Sequence, residues 1–280
     1  LRGEITQIAP EKRTFEKLIC RAALDFQAGD ATLVYGSISR GFKSGLFNIG
    51  VVGVTEFPKA VNPEVLDAYE VGVKTKLLDN RIRFNLAAFY YKYKNMQVSI
   101  YNWSGGAELL NAASSRIYGF DGEADIAFSD SMTMQLGVGY IPRARYDRFF
   151  NAPFFDPDTN GTSAGDAAGN RLIRVPKLTA SATVNYSIDL SSVTVKASAT
   201  YAYNSGYHFN PDNLVRQRAF GLVNGQLSLL PDEGRYYIRL YGKNLTGKRY
   251  ISQASEVSPF GLTYSPAAGR TYGAIVGFNF

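Results

Sequence analysis

Five arginines carry the clearest potential for chemistry in this sequence: Arg143, Arg145, Arg171, Arg216 and Arg218. Each stands near one end of a stretch that alternates apolar and polar residues, and a guanidinium placed there can hold the oxygens of an anion by charge-assisted hydrogen bonds. Extending the two-residue period from Thr133 and Gln135 carries Arg143 and Arg145 to the polar face of their stretch. Thr179 and Ser181 carry Arg171 to the same face, and Asn224, Gln226 and Ser228 carry Arg216 and Arg218. The carboxylates Asp121, Glu123 and Asp125 fall deeper on that side, so an upper ring, Asp147 excepted, is expected to be cationic and to attract anionic solutes. Pairing with neighbouring carboxylates is the other use open to these arginines, and a one-residue slip of register would turn them to the opposite face.

Aromatic residues crowd the irregular segments between the alternating stretches: Phe42, Phe47, Tyr101, Trp103, Phe149, Phe150, Phe154, Phe155, Phe209, Phe260 and Tyr264. Such rings can grip the flat parts of a ligand, with Tyr101, Trp103, His208 and Phe209 as the binding candidates, or they can pack the loops and line an interface. His208 is the only histidine and Cys20 the only cysteine, so no cluster of zinc type is expected. A Ser-His-acid arrangement on His208 is a matter of geometry rather than sequence. Asp156, Asp158, Asn160 and Gly161 begin like a calcium loop, but Ala167 stands where the bidentate glutamate belongs, and the segment reads as a solvated loop. No catalytic residues, metal or cofactor are expected.

The elements that must position these residues are strands. The chain has 280 residues, 14% of them aromatic, with a mean hydropathy of −0.14. No apolar run approaches the roughly 18 residues of a membrane helix, but membrane strands alternate and average to a neutral score. Ile82, Phe84, Leu86, Ala88 and Tyr90 share one face, opposite Arg81, Arg83 and Asn85. Tyr118 to Phe128, Met132 to Tyr140 and Leu178 to Tyr186 repeat the pattern. About eleven strands are predicted, near 15–26, 32–41, 65–78, 81–94, 114–128, 132–147, 171–187, 193–207, 214–230, 235–246 and 268–280. Short links at 28–30, 79–80, 130–131, 190–192 and 231–234 alternate with longer ones near 42–64, 95–113, 148–170, 208–213 and 247–267. Outer-membrane β-barrels show this asymmetry, with short periplasmic turns and long extracellular loops, which places Phe280 in the periplasm. The net charge of +6 is scattered along the chain, which argues against nucleic acid and for contact with lipopolysaccharide or an anionic solute. No disulfide can form within the chain, and the chain starts at Leu1 without a signal peptide, so the expectation is either a segment cut from a longer precursor or a missing N-terminal part.

The final residues sharpen this reading. Tyr272, Ala274, Val276, Phe278 and Phe280 share one face and end on an aromatic carboxy-terminal residue, which resembles the terminal signal read by the barrel-assembly machinery. Arg40 to Asn48 and Asn62 to Val98 resemble TonB-dependent receptors. So do Pro63, Glu64, Tyr69, Glu70, Gly72 and Lys74, then Gly119 to Glu123, then Asn244, Leu245, Thr246 and Tyr250, and finally Gly269 to Gly273. The resemblance implies an all-β fold, an antiparallel transmembrane β-barrel of roughly 22 strands filled by a separate plug. Residues 1–280 would then be the C-terminal portion, about half of that barrel, with the plug, its TonB box and the earlier strands lying outside the chain. It also implies import of a ferric siderophore or similar bulky nutrient, energised by the TonB complex acting through the missing plug. A passive porin shares the polar lumen and long loops and is the alternative; a barrel hydrolase is more remote.

Overall fold

The computed structural model describes residues 12–47, 60–101, 107–231, 236–257 and 261–278. Eleven strands form one antiparallel sheet in chain order. They are β1 (Cys20–Gln27), β2 (Thr32–Lys43), β3 (Glu64–Leu77), β4 (Ile82–Tyr101), β5 (Ala107–Ala127) and β6 (Met132–Arg148), followed by β9 (Leu178–Leu190), β10 (Val193–His208), β11 (Arg216–Pro231), β12 (Tyr236–Lys243) and β15 (Thr271–Phe278). Two small hairpins interrupt the sequence of the sheet: β7 (Ala152–Asp156) with β8 (Gly161–Gly165), and β13 (Ile251–Val257) with β14 (Gly261–Pro266). Among the described residues β1 and β15 are the two edges, each paired on one side only.

The alternation in sequence becomes two faces in space. Register carries one apolar row through Val71, Ala88, Phe120, Tyr140 and Leu178, and another through Val73, Leu86, Gly122, Val138 and Ala180. These residues belong to the face that carries Leu24, Phe26, Ile38, Tyr69, Tyr90 and Tyr118 in the open. A soluble sheet would cover such a face; an extended uncovered one marks a surface meant for another partner or for lipid. On β15 the exposed Tyr272, Val276 and Phe278 lie on the same face as Ile238 and Leu240 of β12. The other face is polar, with Arg83, Asn85, Asp121, Glu123, Asp125 and Gln135 on neighbouring strands.

The short links match the turn chemistry read from the sequence. At the β3–β4 turn Leu78, Asp79 and Asn80 all take positive φ, a region that Asp and Asn tolerate and that Leu78 enters at a cost. Ser129 closes the β5–β6 turn by accepting from the amides of Ser131 and Met132.

Several boundaries differ from those predicted. The first strand begins at Cys20 rather than near 15. β4 and β5 run through most of the expected 95–113 link, reaching 20 and 21 residues. At about 3.3 Å per residue each is roughly 65–70 Å long, about twice what crosses a membrane. The strand expected at 171–187 starts only at Leu178, because Arg174 takes φ 57 and Pro176 supplies no amide to a ladder. The links at 148–170 and 247–267 contain the two small hairpins, which their sequence does not announce by alternation.

Candidate functional site

On the polar face the lower half is lined by hydroxyls, amides and charges. Thr183 and Thr200 share a hydrogen bond at 2.9 Å, Gln135 donates to Asp125 at 3.3 Å, and Lys196, Gln226, Ser228 and Arg239 border a groove of about 450 Å³. Nearer the long-link end the same face turns aromatic. Phe89 and Tyr91 stack at 4.8 Å, and Tyr35 donates to Glu70 at 2.8 Å.

Above this the links fold into packed structure. Val98, Ala144, Tyr146, Phe149, Ala152, Ala167 and Leu172 form a buried cluster that fixes the β7–β8 hairpin to β6. Burying each aromatic ring here stabilises the arrangement by about 2 kcal/mol. Phe209, Val215 and Ala254 make a second cluster, against which Tyr207, Ile251 and Leu262 pack, fixing the β13–β14 hairpin to β10 and β11. Gln217, buried between the two exposed arginines Arg216 and Arg218, accepts from the Ile251 amide at 2.6 Å.

Side-chain amides then join one link to the next. Asn213 donates to the Arg171 carbonyl at 2.9 Å and accepts from its amide at 2.8 Å, an imitation of a strand pair. Asn111 does the same for Asn62, at 3.0 and 2.7 Å. Gln97 donates to the carbonyls of Ser44 and Asn62. The result is a layered rim at the long-link end: cross-tied backbone, two apolar anchors and a polar face below.

The arginines do not form the expected ring. Phe120 pairs with Tyr140 but Tyr118 pairs with Arg143, so β6 holds one residue more than β5 across this step. That bulge falls at Ile141 and Pro142, where proline has no N–H for the ladder, and opposite Gly119, where a Cβ would lie 2.5 Å from the Tyr140 carbonyl oxygen. Parity slips by one. Arg143 therefore shares the apolar-side face with Tyr118, and Arg145 shares it with Arg116. This corrects the expected placement of both on the polar side.

Arg171 lies outside β9, in an isolated bridge with Arg145, and its guanidinium donates to the carbonyls of Ile141 at 2.7 Å and Val175 at 3.2 Å. It thus serves a carbonyl freed by the bulge. Burial, then the charge of Arg145, pulls this guanidinium below its ordinary range. Arg216 and Arg218 stand exposed at the start of β11, on the side away from Gln217.

Of the aromatic candidates, Phe149 and Phe209 are buried in the two anchors, Phe154 packs on the first, and Phe209 receives the Arg174 guanidinium over its ring at 5.6 Å. Their packing is the loop-building use. Among the described residues Phe150 and Tyr264 are the most open, at 60% and 52% exposure, and Phe42 is exposed on β2. His208 ends β10 half-buried, its Nδ1 without a partner among the described residues. Tyr101 ends β4 with its side chain outside the described residues, and Trp103, Phe260 and Phe280 lie outside them altogether. Asp156 is bound within its own turn by Thr159 and the amide of Asp158, which holds its carboxyl below the usual range. Among the described residues no group of three metal-ligating side chains occurs. The sequence reading missed Arg40, Lys92, Lys94 and Arg116 as a set, although the parity of Ile82 to Tyr90 continued two steps would have placed both lysines with Tyr90.

Comparison with known proteins places this architecture. The family model described as "TonB dependent receptor-like, beta-barrel" matches residues 4–245. The metal-pseudopaline receptor CntO of Pseudomonas aeruginosa is 30% identical over 158 residues, covering 56% of this chain and 19% of the relative. The pesticin receptor of Yersinia enterocolitica is 24% identical over 241 residues, 85% of this chain and 32% of the relative. The chain therefore spans about a third or less of the relatives' length. Among solved structures, the ferric yersiniabactin uptake receptor FyuA from Yersinia pestis superposes with a TM-score of 0.77 at 22% identity, over 94% of this chain and 37% of that one. The siderophore receptor PiuA from Acinetobacter baumannii gives 0.68 at 19% identity, over 91% and 35%.

Proposed function

Because this chain belongs to the TonB-dependent receptor β-barrel family, whose members are transport receptors of the bacterial outer membrane, we propose that it supplies the C-terminal half of a barrel importing a ferric siderophore or similar metal chelate. The observation that carries the reading is the layered rim. A polar-lined face continues upward under two link hairpins, each fixed by its own apolar cluster, as a preformed vestibule for a bulky solute requires. The named function of one relative, a receptor for metal-pseudopaline, supports a metal chelate as cargo. β1 and β15, unpaired on one side, would join the earlier strands of the complete barrel, since lipid cannot satisfy an open edge. The plug and the TonB contact lie in the remainder of the receptor.

Within this vestibule the open aromatics Phe150 and Tyr264 and the exposed Arg216 and Arg218 are the side chains offered to an anionic chelate. Arg143 and Arg145 are not among them.

The test is uptake of radioiron complexed to a panel of siderophores by cells expressing the full-length receptor as their only route. Binding and uptake of at least one complex are expected, with loss of TonB abolishing uptake while sparing binding. Uptake that persists without TonB would assign a passive channel instead.

A further inference from the structure

The polar face is divided in charge. β10, β11, β12 and β15 contain no aspartate or glutamate, yet they bring Lys196, Arg216, Arg218, Arg239 and Lys243 to that face. Across the sheet, β3 and β5 place Glu70, Asp121, Glu123 and Asp125 on it. An anion therefore meets carboxylates on one wall and cations alone on the other.

The cations fall in two groups. Arg216 and Arg218 stand at the long-link end of β11, where the vestibule begins. Far below, register puts Lys196, Ser228 and Arg239 side by side on one rung, so with about 4.8 Å between strands the two charges lie roughly 10 Å apart. Lys243 is two rungs above Arg239 on the same face of β12, about 13 Å away. It shares a groove with Asn224, which lies roughly 20 Å down β11 from Arg218.

The surroundings of the lower group keep its donors available. Tyr237 and Tyr241 cover Gly277 and Gly273 of β15, which holds both rings against the wall. Arg239 rests over Tyr237 at 5.3 Å and Lys243 over Tyr241 at 5.9 Å. A ring backs each cation without consuming its hydrogen-bond donors. Arg239 also donates to Ser228 Oγ at 3.4 Å, and among the described residues no carboxylate pairs with Lys196, Arg239 or Lys243. Asp130, in the β5–β6 turn, borders the groove at its short-link end. A recess lined by uncompensated charge of one sign concentrates ions of the other.

This wall also has room. Two grooves of about 450 and 480 Å³ run along it and are joined at Ser198, Gln226 and Arg239, which line both. Each is of the size that holds a small molecule, and hydroxyl and amide side chains complete the lining.

We propose that Lys196, Arg239 and Lys243 form a second anion-binding station in the lower lumen, and that an anionic metal chelate leaving Arg216 and Arg218 is handed down this wall rather than the acidic one. The contacts are charge-assisted hydrogen bonds to the carboxylate or phenolate oxygens of the chelate. The inference rests on the import reading and adds which wall the cargo follows and which charge it carries.

The test compares the full-length wild type, Lys196→Gln/Arg239→Gln/Lys243→Gln and the charge-keeping Lys196→Arg/Arg239→Lys/Lys243→Arg, each shown to be an assembled barrel by heat-modifiable migration. The probes are radioiron siderophore complexes of net negative charge, such as a ferric tris-catecholate, and neutral ones, such as a ferric tris-hydroxamate. Binding to de-energised cells and the initial rate of uptake are measured for each. The glutamine variant is expected to bind an anionic complex as the wild type does and to take it up about tenfold more slowly or worse, while the charge-keeping variant stays near wild type. If the triple variant does not assemble, Lys196→Gln and Lys243→Gln, both at exposed positions, are read singly, each slowing anionic uptake roughly twofold as its share of that loss. Equal uptake by the wild type and the glutamine variant overturns the proposal, as does an equal loss for neutral complexes or for the charge-keeping variant. Entry of a bulky antibiotic through the glutamine variant without TonB would assign these cations to holding the plug and also overturns it. A wild type that imports only neutral complexes overturns it while leaving the import reading intact, and one that imports none overturns the import reading as well.

Discussion

The ring of Tyr35 in β2 covers Gly72, its direct partner in β3, so closely that a Cβ on Gly72 would fall 2.6 Å from the ring atoms. The phenol reaches on to Glu70 at 2.8 Å, and Lys74 lies 5.5 Å from the ring centre. Glycine, acid and lysine at a two-residue spacing therefore serve a single tyrosine on the neighbouring strand. Tyr241 over Gly273 and Tyr237 over Gly277 repeat the pairing between β12 and β15.

Replacing Gly72 with alanine should force the ring off its seat and cost about 1–3 kcal/mol through overpacking. Tyr35→Phe keeps the cover and loses one hydrogen bond, about 1 kcal/mol. Urea titration of the full-length receptor, followed by loss of its heat-modifiable form, should rank Gly72→Ala below Tyr35→Phe and both below wild type. A Gly72→Ala barrel as stable as wild type would mean that the ring moves aside freely.

Asn213 makes a second testable tie. Its side chain both donates to and accepts from the backbone of Arg171, so Asn213→Ala removes two hydrogen bonds between links separated by 42 residues, worth about 1–3 kcal/mol together. Because the tie lies above the membrane band, the barrel itself should assemble normally. Faster cleavage between residues 156 and 175 by a protease added to intact cells, at unchanged receptor abundance, is the expected result.

What the sequence disclosed follows from the same physics. Faces were legible wherever strands kept strict alternation, as from Ile82 to Tyr90, because burial in lipid on one side and a polar lumen on the other act on every residue. They ceased to be legible at Pro142, where one added residue reversed the sense of Arg143 and Arg145. A proline inside an alternating stretch was the available warning, and Gly119 opposite it was the second. The link hairpins stayed hidden for another reason. β7 and β8 are five residues each, and their order comes from Phe149, Ala152 and Ala167 packing on Tyr146 rather than from any local period.

That packing predicts a separation between assembly and ligand capture. Tyr146 and Phe149 are each 1% exposed, with ring centres 5.1 Å apart. Phe149→Ala should release the β7–β8 hairpin at a local cost of about 3–5 kcal/mol, while the strands below retain their ladder. Receptor abundance should stay near wild type as chelate affinity falls, measured on whole cells with a fluorescent or radiolabelled complex. Unchanged affinity would remove this hairpin from the vestibule.

The direction of the whole assembly can be tested with two sites. Asp130 lies in the short β5–β6 turn and Asn160 in the turn of the β7–β8 hairpin, both exposed and at opposite ends of β6. If short links are periplasmic, the long-link rim lies outside the cell and the vestibule opens outward. With Cys20, the one thiol of this chain, replaced by serine, Asn160→Cys should react with a membrane-impermeant maleimide on intact cells. Asp130→Cys should react only after the outer membrane is permeabilised. Labelling of Asp130→Cys but not Asn160→Cys on intact cells would invert the receptor, placing the two hairpins in the periplasm.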